Sequence, residues 1–195
     1  MTVKLLAFAG STRTGSLNQA LLDLAVAEAR ARGAEVTSIR LKDFDLPLYD
    51  GDLEASAFPA KARELKALFR AHHGFLIASP EYNGSVSGVL KNAIDWATRP
   101  TDGEGMVALS AFRGKVAGLL GASLSPFGGL RGVTHLRQIL GTIQTVVATE
   151  QVLVPAAHTA FDDAGALKDA LPAQLLGGLA ARVIELAERL EPPIA

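Results

Sequence analysis

The chain has 195 residues, 49% hydrophobic and 20% charged, with 19 glycines and 9 prolines; this suits one globular domain over residues 1–195 and excludes a disordered or collagen-like chain. Its 19 Lys and Arg against 20 Asp and Glu leave a net charge of -1 with neither sign gathered in a block, so nothing marks it for nucleic acid or an anionic membrane. It has no cysteine, which excludes disulfides, thiolate nucleophiles, Cys-ligated zinc and iron–sulfur clusters, so a redox function must borrow a cofactor.

Residues 1–9 carry one lysine and then Leu5-Leu6-Ala7-Phe8-Ala9, which imitates a secretory leader but is too short for one. No uninterrupted apolar run reaches the length of a membrane span, so a soluble, cytoplasmic protein without membrane partners is expected. The first strand is expected at Val3–Ala9, followed by a helix on which Leu17, Ala20, Leu21, Leu24 and Ala25 recur at helical spacing. A second strand, Glu35–Leu41, leads into a long loop, Lys42–Ala57, and a helix over Pro59–His72. Gly74–Ser79 reads as the third strand, and Val86, Val89, Leu90, Ala93, Ile94 and Ala97 form the stripe of the next helix. After a second long loop, Arg99–Arg113, come strand Lys115–Gly121, helix Leu130–Gly141, strand Thr145–Leu153 and helix Pro172–Leu190. The strands are mostly apolar on both faces, as a sheet covered by helices requires. Alternating β and α units predict a parallel α/β sheet, and this length suits a doubly wound, flavodoxin-like order 2-1-3-4-5 with helices on both faces; a barrel needs eight units and about 250 residues.

Ligands of such sheets sit beyond the carboxyl ends of the strands, which directs attention to the loops after strands 1, 3 and 4. The first reads G-S-T-R-T-G-S-L-N over Gly10–Asn18 and joins a strand to a helix start, whose free N–H groups and positive dipole end suit an anion. Gly10 and Gly15 have Walker spacing, but Ser16-Leu17 stands where Lys-Ser/Thr is needed, and Thr12 replaces the second glycine of a dinucleotide loop. What remains is a hydroxyl-rich loop with Arg13, suited to a single terminal phosphate. Capping by Ser16 or Asn18 and a turn at Ser11-Thr12 would account for part of this pattern but not for Arg13.

The loop after strand 3 opens the segment S-P-E-Y-N-G-S-V-S-G-V-L-K-N-A-I-D-W, Ser79–Trp96. Pro80 bends the strand exit, Gly84 and Gly88 allow close backbone approach, and amide and phenol side chains can edge a flat heterocycle. Together with G-S-x-R-x-x-S-x-N in the first loop, the segment strongly resembles the NADPH-dependent FMN reductase family, the flavodoxin-like group that contains chromate, quinone and azo-dye reductases. The resemblance implies that Ser11, Arg13, Ser16 and Asn18 hold the FMN phosphate, and that Pro80, Glu81, Tyr82, Asn83 and Gly84 lie along the isoalloxazine ring and ribityl chain. It reaches Leu46-Pro47-Leu48-Tyr49 and Gly121-Ala122-Ser123 with Gly128-Gly129, which adds Ser123 to the cofactor-binding set, and it fades after residue 141. Where such reductases more usually carry a glycine, this chain has Ser125-Pro126-Phe127. The resemblance also implies NADPH or NADH as co-substrate and a homodimer or homotetramer.

The expected activity is FMN-dependent reduction of a small electron acceptor (quinone, azo compound, flavin or metal oxyanion) by NAD(P)H in a ping-pong alternation. No catalytic side chain is expected, because hydride transfer to flavin N5 needs positioning rather than a base. Glu81 is assigned a positional role and Tyr82 that of a wall at the ring edge. No metal site is expected: His72-His73 suits the carboxyl end of a helix, His135 and His158 are isolated, and Asp43, Asp45, Asp50, Asp52 and Glu54 lack the order of a calcium loop and read as a solvated loop. Trp96 reads as packing or interface rather than chemistry. The alternative is a flavodoxin-type electron carrier with the same fold and FMN, against which the near-neutral charge argues, since such carriers are commonly strongly acidic. A phosphoacceptor signalling domain would want an aspartate where Ser79-Pro80 stands.

Overall fold

The computed structural model describes residues 1–194. Strands β1 (Lys4–Ala9), β2 (Glu35–Arg40), β3 (Gly74–Ala78), β4 (Val116–Ala122) and β5 (Val146–Val154) alternate with helices α1 (Leu17–Ala31), α2 (Gly51–Ala57), α3 (Ala60–Arg70), α4 (Gly88–Thr98), α5 (Leu130–Thr142) and α6 (Ala170–Leu190). The strands form one parallel sheet in the order β2-β1-β3-β4-β5, the flavodoxin-like order that the sequence predicts. Leu21, Leu22 and Ala25 of α1 and Leu176, Leu179 and Val183 of α6 bury one face of the sheet. Leu65 and Phe69 of α3, Leu90 and Ile94 of α4, and Val133 and Leu136 of α5 bury the other. On that second face Phe69 lies against Phe8, Phe75 and Phe112, with ring centroids 5.2, 5.0 and 5.0 Å away.

The segment Lys42–Ala57 is not a plain loop. Leu41 leaves β2 to open a 3-10 turn, Leu41–Phe44, that buries Leu41 and Phe44. Asp50 then caps α2, its carboxylate accepting from the N–H of Asp52 at 2.8 Å and of Leu53 at 3.4 Å. Because α2 buries none of its residues, it leaves no apolar periodicity in the sequence, and part of the acidic group serves a helix start instead of a solvated loop. Helix α6, in turn, is long and apolar enough by length and composition to cross a membrane. Its Leu176, Leu179, Val183 and Ala187 are nonetheless buried in the core beside the sheet.

Strand β5 lies at an edge and is irregular. Val146 and Val147 pair with Val116 and Ala117, and pairing resumes at Gln151 opposite Leu119, so residues 148–150 bulge across from Gly118. The Arg137 guanidinium donates to the Ala148 carbonyl at 2.7 Å and to Gln151 Oε1 at 3.2 Å, while Arg182 pairs with Glu150 at 2.8 Å.

At the opposite end of the sheet from the site loops, His72 meets the Leu68 carbonyl at a helix end as expected, and His73 Nδ1 instead accepts from the Lys4 N–H. Lys115 is fully buried beside them. Its ammonium donates to the carbonyls of Arg70 and His72, and burial, then the Arg70 charge, pulls its pKa from 10.5 to about 8. Below pH 8 the folded and unfolded chains both carry this charge. Between about 8 and 10.5 the folded chain has lost the proton that the unfolded chain still holds, so this group's contribution to stability improves with pH. The difference in melting temperature between wild type and Lys115→Met is therefore expected to move in favour of the wild type from pH 8 to 10; a difference independent of pH would show that Lys115 does not titrate there.

Candidate functional site

The loops after β1, β3 and β4 converge beyond the carboxyl ends of these strands. In the first, Ser16 caps α1 by accepting from the Gln19 N–H at 3.3 Å, and the first intrahelical bond runs from Ala20 to Ser16. The N–H groups of Leu17 and Asn18 precede that bond, so the helix itself does not use them. Ser11 turns the loop, its hydroxyl 3.4 Å from the Arg13 N–H. Arg13 is exposed and spends one guanidinium donor on the Gly15 carbonyl at 3.0 Å. Asn18 is buried, and both atoms of its amide meet the backbone of Ala122 at the end of β4.

In the second loop Tyr82 and Ser85 exchange backbone bonds of 2.9 and 3.0 Å around Asn83 and Gly84. Both turn residues have positive φ, 51° and 79°, the geometry that an Asn-Gly hairpin turn supplies. A side chain at Gly84 or Gly88 would meet nothing within 4 Å, so neither allows a close approach within the chain, and Gly84 is needed for its φ. The close approaches are elsewhere. A Cβ on Gly10 would lie 2.9 Å from Leu90 Cβ, and one on Gly132 3.1 Å from the Ser85 carbonyl and 3.2 Å from Glu81 Cα. Ser87 caps α4 and donates to the Gly10 carbonyl, which ties the first loop to the second.

Glu81 ties the second loop to α5. Its side chain is only 5% exposed. The carboxylate accepts from the N–H of Arg131 at 3.0 Å and of Gly132 at 3.3 Å, and it pairs with the Arg131 guanidinium. Burial pushes this carboxyl up, but the bonds from Arg131 and the two backbone N–H groups outweigh it and hold the pKa below the ordinary value. A carboxylate so occupied at a helix start holds structure in place and is poorly placed to take a proton. Arg131, Gly132 and Ser87 are missing from the residues that the sequence singles out; Arg131 stands 50 positions from its partner, and no local pattern connects them.

The third loop carries the Ser125-Pro126-Phe127 departure. Ser123 and Ser125 join hydroxyls at 3.1 Å, and Gly128 and Gly129 turn the chain into α5 with φ of 60° and 89°. Leu124 and Phe127 are left more than half exposed, and the Arg131 guanidinium lies 5.3 Å over the Phe127 ring. Extra bulk at this turn has thus become an apolar wall braced by a cation.

Between the loops lies a cavity of about 390 Å³. Ser11, Arg13, Ser16 and Asn18 line one end, with Pro80, Glu81, Tyr82 and Ser123 along its length. Asn83 and Gly84 form the turn just beyond and do not line it. A second depression of about 460 Å³ lies between α2 and the segment after α4, where Arg63 is paired with Asp102 at 2.8 Å. Trp96 is buried and donates its indole N–H to the Pro47 carbonyl, a packing role as expected. No group of three or more metal-ligating side chains is assembled among the described residues.

Residues 3–159 match the NADPH-dependent FMN reductase family. The chain belongs to that family. This reductase is 40% identical over 169 residues to the NAD(P)H-dependent FMN reductase of Pseudomonas aeruginosa, which covers 86% of this chain and 85% of that protein. It is 34% identical over 150 residues to the 2-hydroxy-1,4-benzoquinone reductase of a Burkholderia species, covering 77% and 76% of the two chains. Among solved structures, the flavoenzyme NAD(P)H:(acceptor) oxidoreductase of Paracoccus denitrificans superposes with a TM-score of 0.81 at 30% identity, over 96% of this chain and 98% of that one. An archaeal flavodoxin shares the fold alone, with a TM-score of 0.59 at 14% identity. This FMN reductase is accordingly an oxidoreductase with FMN as cofactor and NAD(P)H as electron donor.

Proposed function

We propose that FMN lies in the cavity between the three loops, its phosphate on the Ser11–Asn18 loop and its ring along Pro80–Tyr82, and that NAD(P)H and a small acceptor use the remaining open side in turn. The observation that carries this reading is the polarity of the cavity. One end holds hydroxyls, a helix start and the cation Arg13, while the rest is flanked by Pro80, Tyr82 and the exposed Leu124. That donor set fits one phosphate attached to a flat heterocycle. Held by the first loop and by Pro80 to Tyr82, FMN would supply the redox chemistry between NAD(P)H and the acceptor.

The residues position and enclose. Ser16 and Ser11 hold the loop so that the first N–H groups of α1 face the phosphate, and Arg13 adds charge there. Glu81, fixed on α5 through Arg131, keeps the Tyr82–Ser85 turn at a set distance from the β4 loop, so the cleft keeps its width. The exposed Leu124 on the wall of the cavity favours a planar acceptor such as a quinone over a hydrated metal oxyanion. The homodimer or homotetramer implied by the family resemblance belongs to the same reading, and exposed Leu48, Met106 and Val107 supply apolar surface for it. So does a cytoplasmic location.

Denaturing the purified protein should release FMN and not FAD. Anaerobic NAD(P)H should bleach the bound flavin, and initial rates at several acceptor concentrations should give parallel reciprocal lines, as expected when two substrates share one face. Stoichiometric FAD would overturn the phosphate assignment. Converging lines with a demonstrable ternary complex would overturn the shared face, and turnover only through a protein partner would overturn the small acceptor.

A further inference from the structure

We infer that Asn18 is a positioning residue that fixes the phosphate loop to the end of β4, and not a ligand whose main task is to bind the phosphate. The inference rests on the FMN-binding reading of the cavity above. Its basis is the way the sheet ends. Pairing of β3 with β4 stops at Ala78 opposite Leu120, and the last backbone bond on that side of β4 runs from the Ser79 N–H to the Leu120 carbonyl at 2.8 Å. Strand β4 continues to Ala122, held on its other side by β5, where Ala122 lies opposite Val154.

Ala122 is itself buried, so its backbone groups on the vacated side would be costly without partners. Asn18 supplies both of them. Its Nδ2 donates to the Ala122 carbonyl at 2.8 Å, and its Oδ1 accepts from the Ala122 N–H at 2.9 Å. The side chain is therefore doing what a neighbouring strand would do. It reaches across 104 positions of sequence from the first turn of α1, where the loop before it lines one end of the cavity. The residues just after Ala122, Ser123 and Leu124, line the same cavity. Asn18 is thus the direct link between two walls of the cleft, and it sets the distance between the phosphate end and the part of the β4 loop that meets the ring.

A link of this kind affects every ligand that spans the cleft, whether or not the ligand carries a phosphate. A phosphate ligand affects only the phosphorylated one. Asn18→Ala is expected to weaken FMN and riboflavin by similar factors, about tenfold each, in titrations of apoprotein whose circular dichroism shows that it is folded.

Asn18→Asp gives a second readout. Its protonated form can donate and accept as the amide does, whereas its carboxylate faces the Ala122 carbonyl, and burial raises its pKa. Riboflavin affinity in Asn18→Asp is therefore expected to fall as pH rises through that ionisation, relative to a wild type measured across the same range. Loss of a phosphate contact produces no pH-dependent affinity for a ligand without phosphate, and circular dichroism across the same pH range separates the effect from unfolding. Unchanged riboflavin affinity in Asn18→Ala, with FMN alone weakened, would overturn the inference and leave the FMN site standing. Failure of the wild type to bind either flavin would instead overturn the reading of the cavity.

Discussion

Replacing Arg13 with alanine is expected to weaken FMN binding about ten- to a hundredfold and to leave riboflavin binding almost unchanged. A charge-assisted hydrogen bond to an anion has that range when partly exposed to solvent, and Arg13 lies in the open at the mouth of the cavity. Among the described residues one of its guanidinium donors is engaged, on the Gly15 carbonyl, so the others remain for the phosphate. Riboflavin has the same ring and ribityl chain without the phosphate, and the comparison isolates the charge. If the bond to Gly15 merely shapes the loop, both flavins lose affinity by a similar factor, and equal losses in paired titrations would remove Arg13 from the phosphate site. Raising the ionic strength should also erode FMN affinity more in the wild type than in the variant.

Phe69→Ala is expected to cause a large loss of stability with no loss of flavin affinity in the protein that remains folded. Phe69 is fully buried and touches three other rings at centroid distances between 5.0 and 5.2 Å. Truncating a buried phenylalanine costs roughly 3–5 kcal/mol, because the cavity left behind adds to the lost transfer free energy. For a domain of this size that corresponds to a melting temperature lower by roughly 6–20 °C. None of the four rings lines the cleft between the loops, so an apoprotein melt and a flavin titration should separate cleanly. A loss under about 1.5 kcal/mol would mean that α3 settles into the vacated space.

What the sequence made legible was local. Apolar runs gave the five strands within a residue or two, hydroxyl and glycine chemistry marked the two loops, and the order of the sheet followed from alternation and length. What it hid was either unburied or distant. Helix α2 sits entirely on the surface, so no stripe of apolar residues announces it. Glu81 stands out in the sequence as a site residue, but its partners Arg131 and Gly132 come from another β-α unit. Asn18 shows the limit most clearly: the helix-start pattern put it where the loop meets α1, whereas the destination of its amide depends on β4 outrunning β3, a property of the assembled sheet. Ser125-Pro126-Phe127 marked a departure, and only the fold shows that Arg131 braces the resulting wall.

The bulge in β5 decides how the molecule can meet its neighbours. A straight, apolar border strand offers a ladder of unpaired amides that a foreign chain can extend, the route to runaway stacking. Residues 148–150 break that ladder, and the Arg137 guanidinium takes the Ala148 carbonyl. At the far border, Arg30 donates to the Val36 carbonyl of β2 and takes up a group in the same way. Both margins of the sheet are thus blunted from within one chain. Growth of the sheet by strand addition is disfavoured at either side, and self-association is left to helices and loops, whose contacts close into finite assemblies more readily than a growing ribbon does.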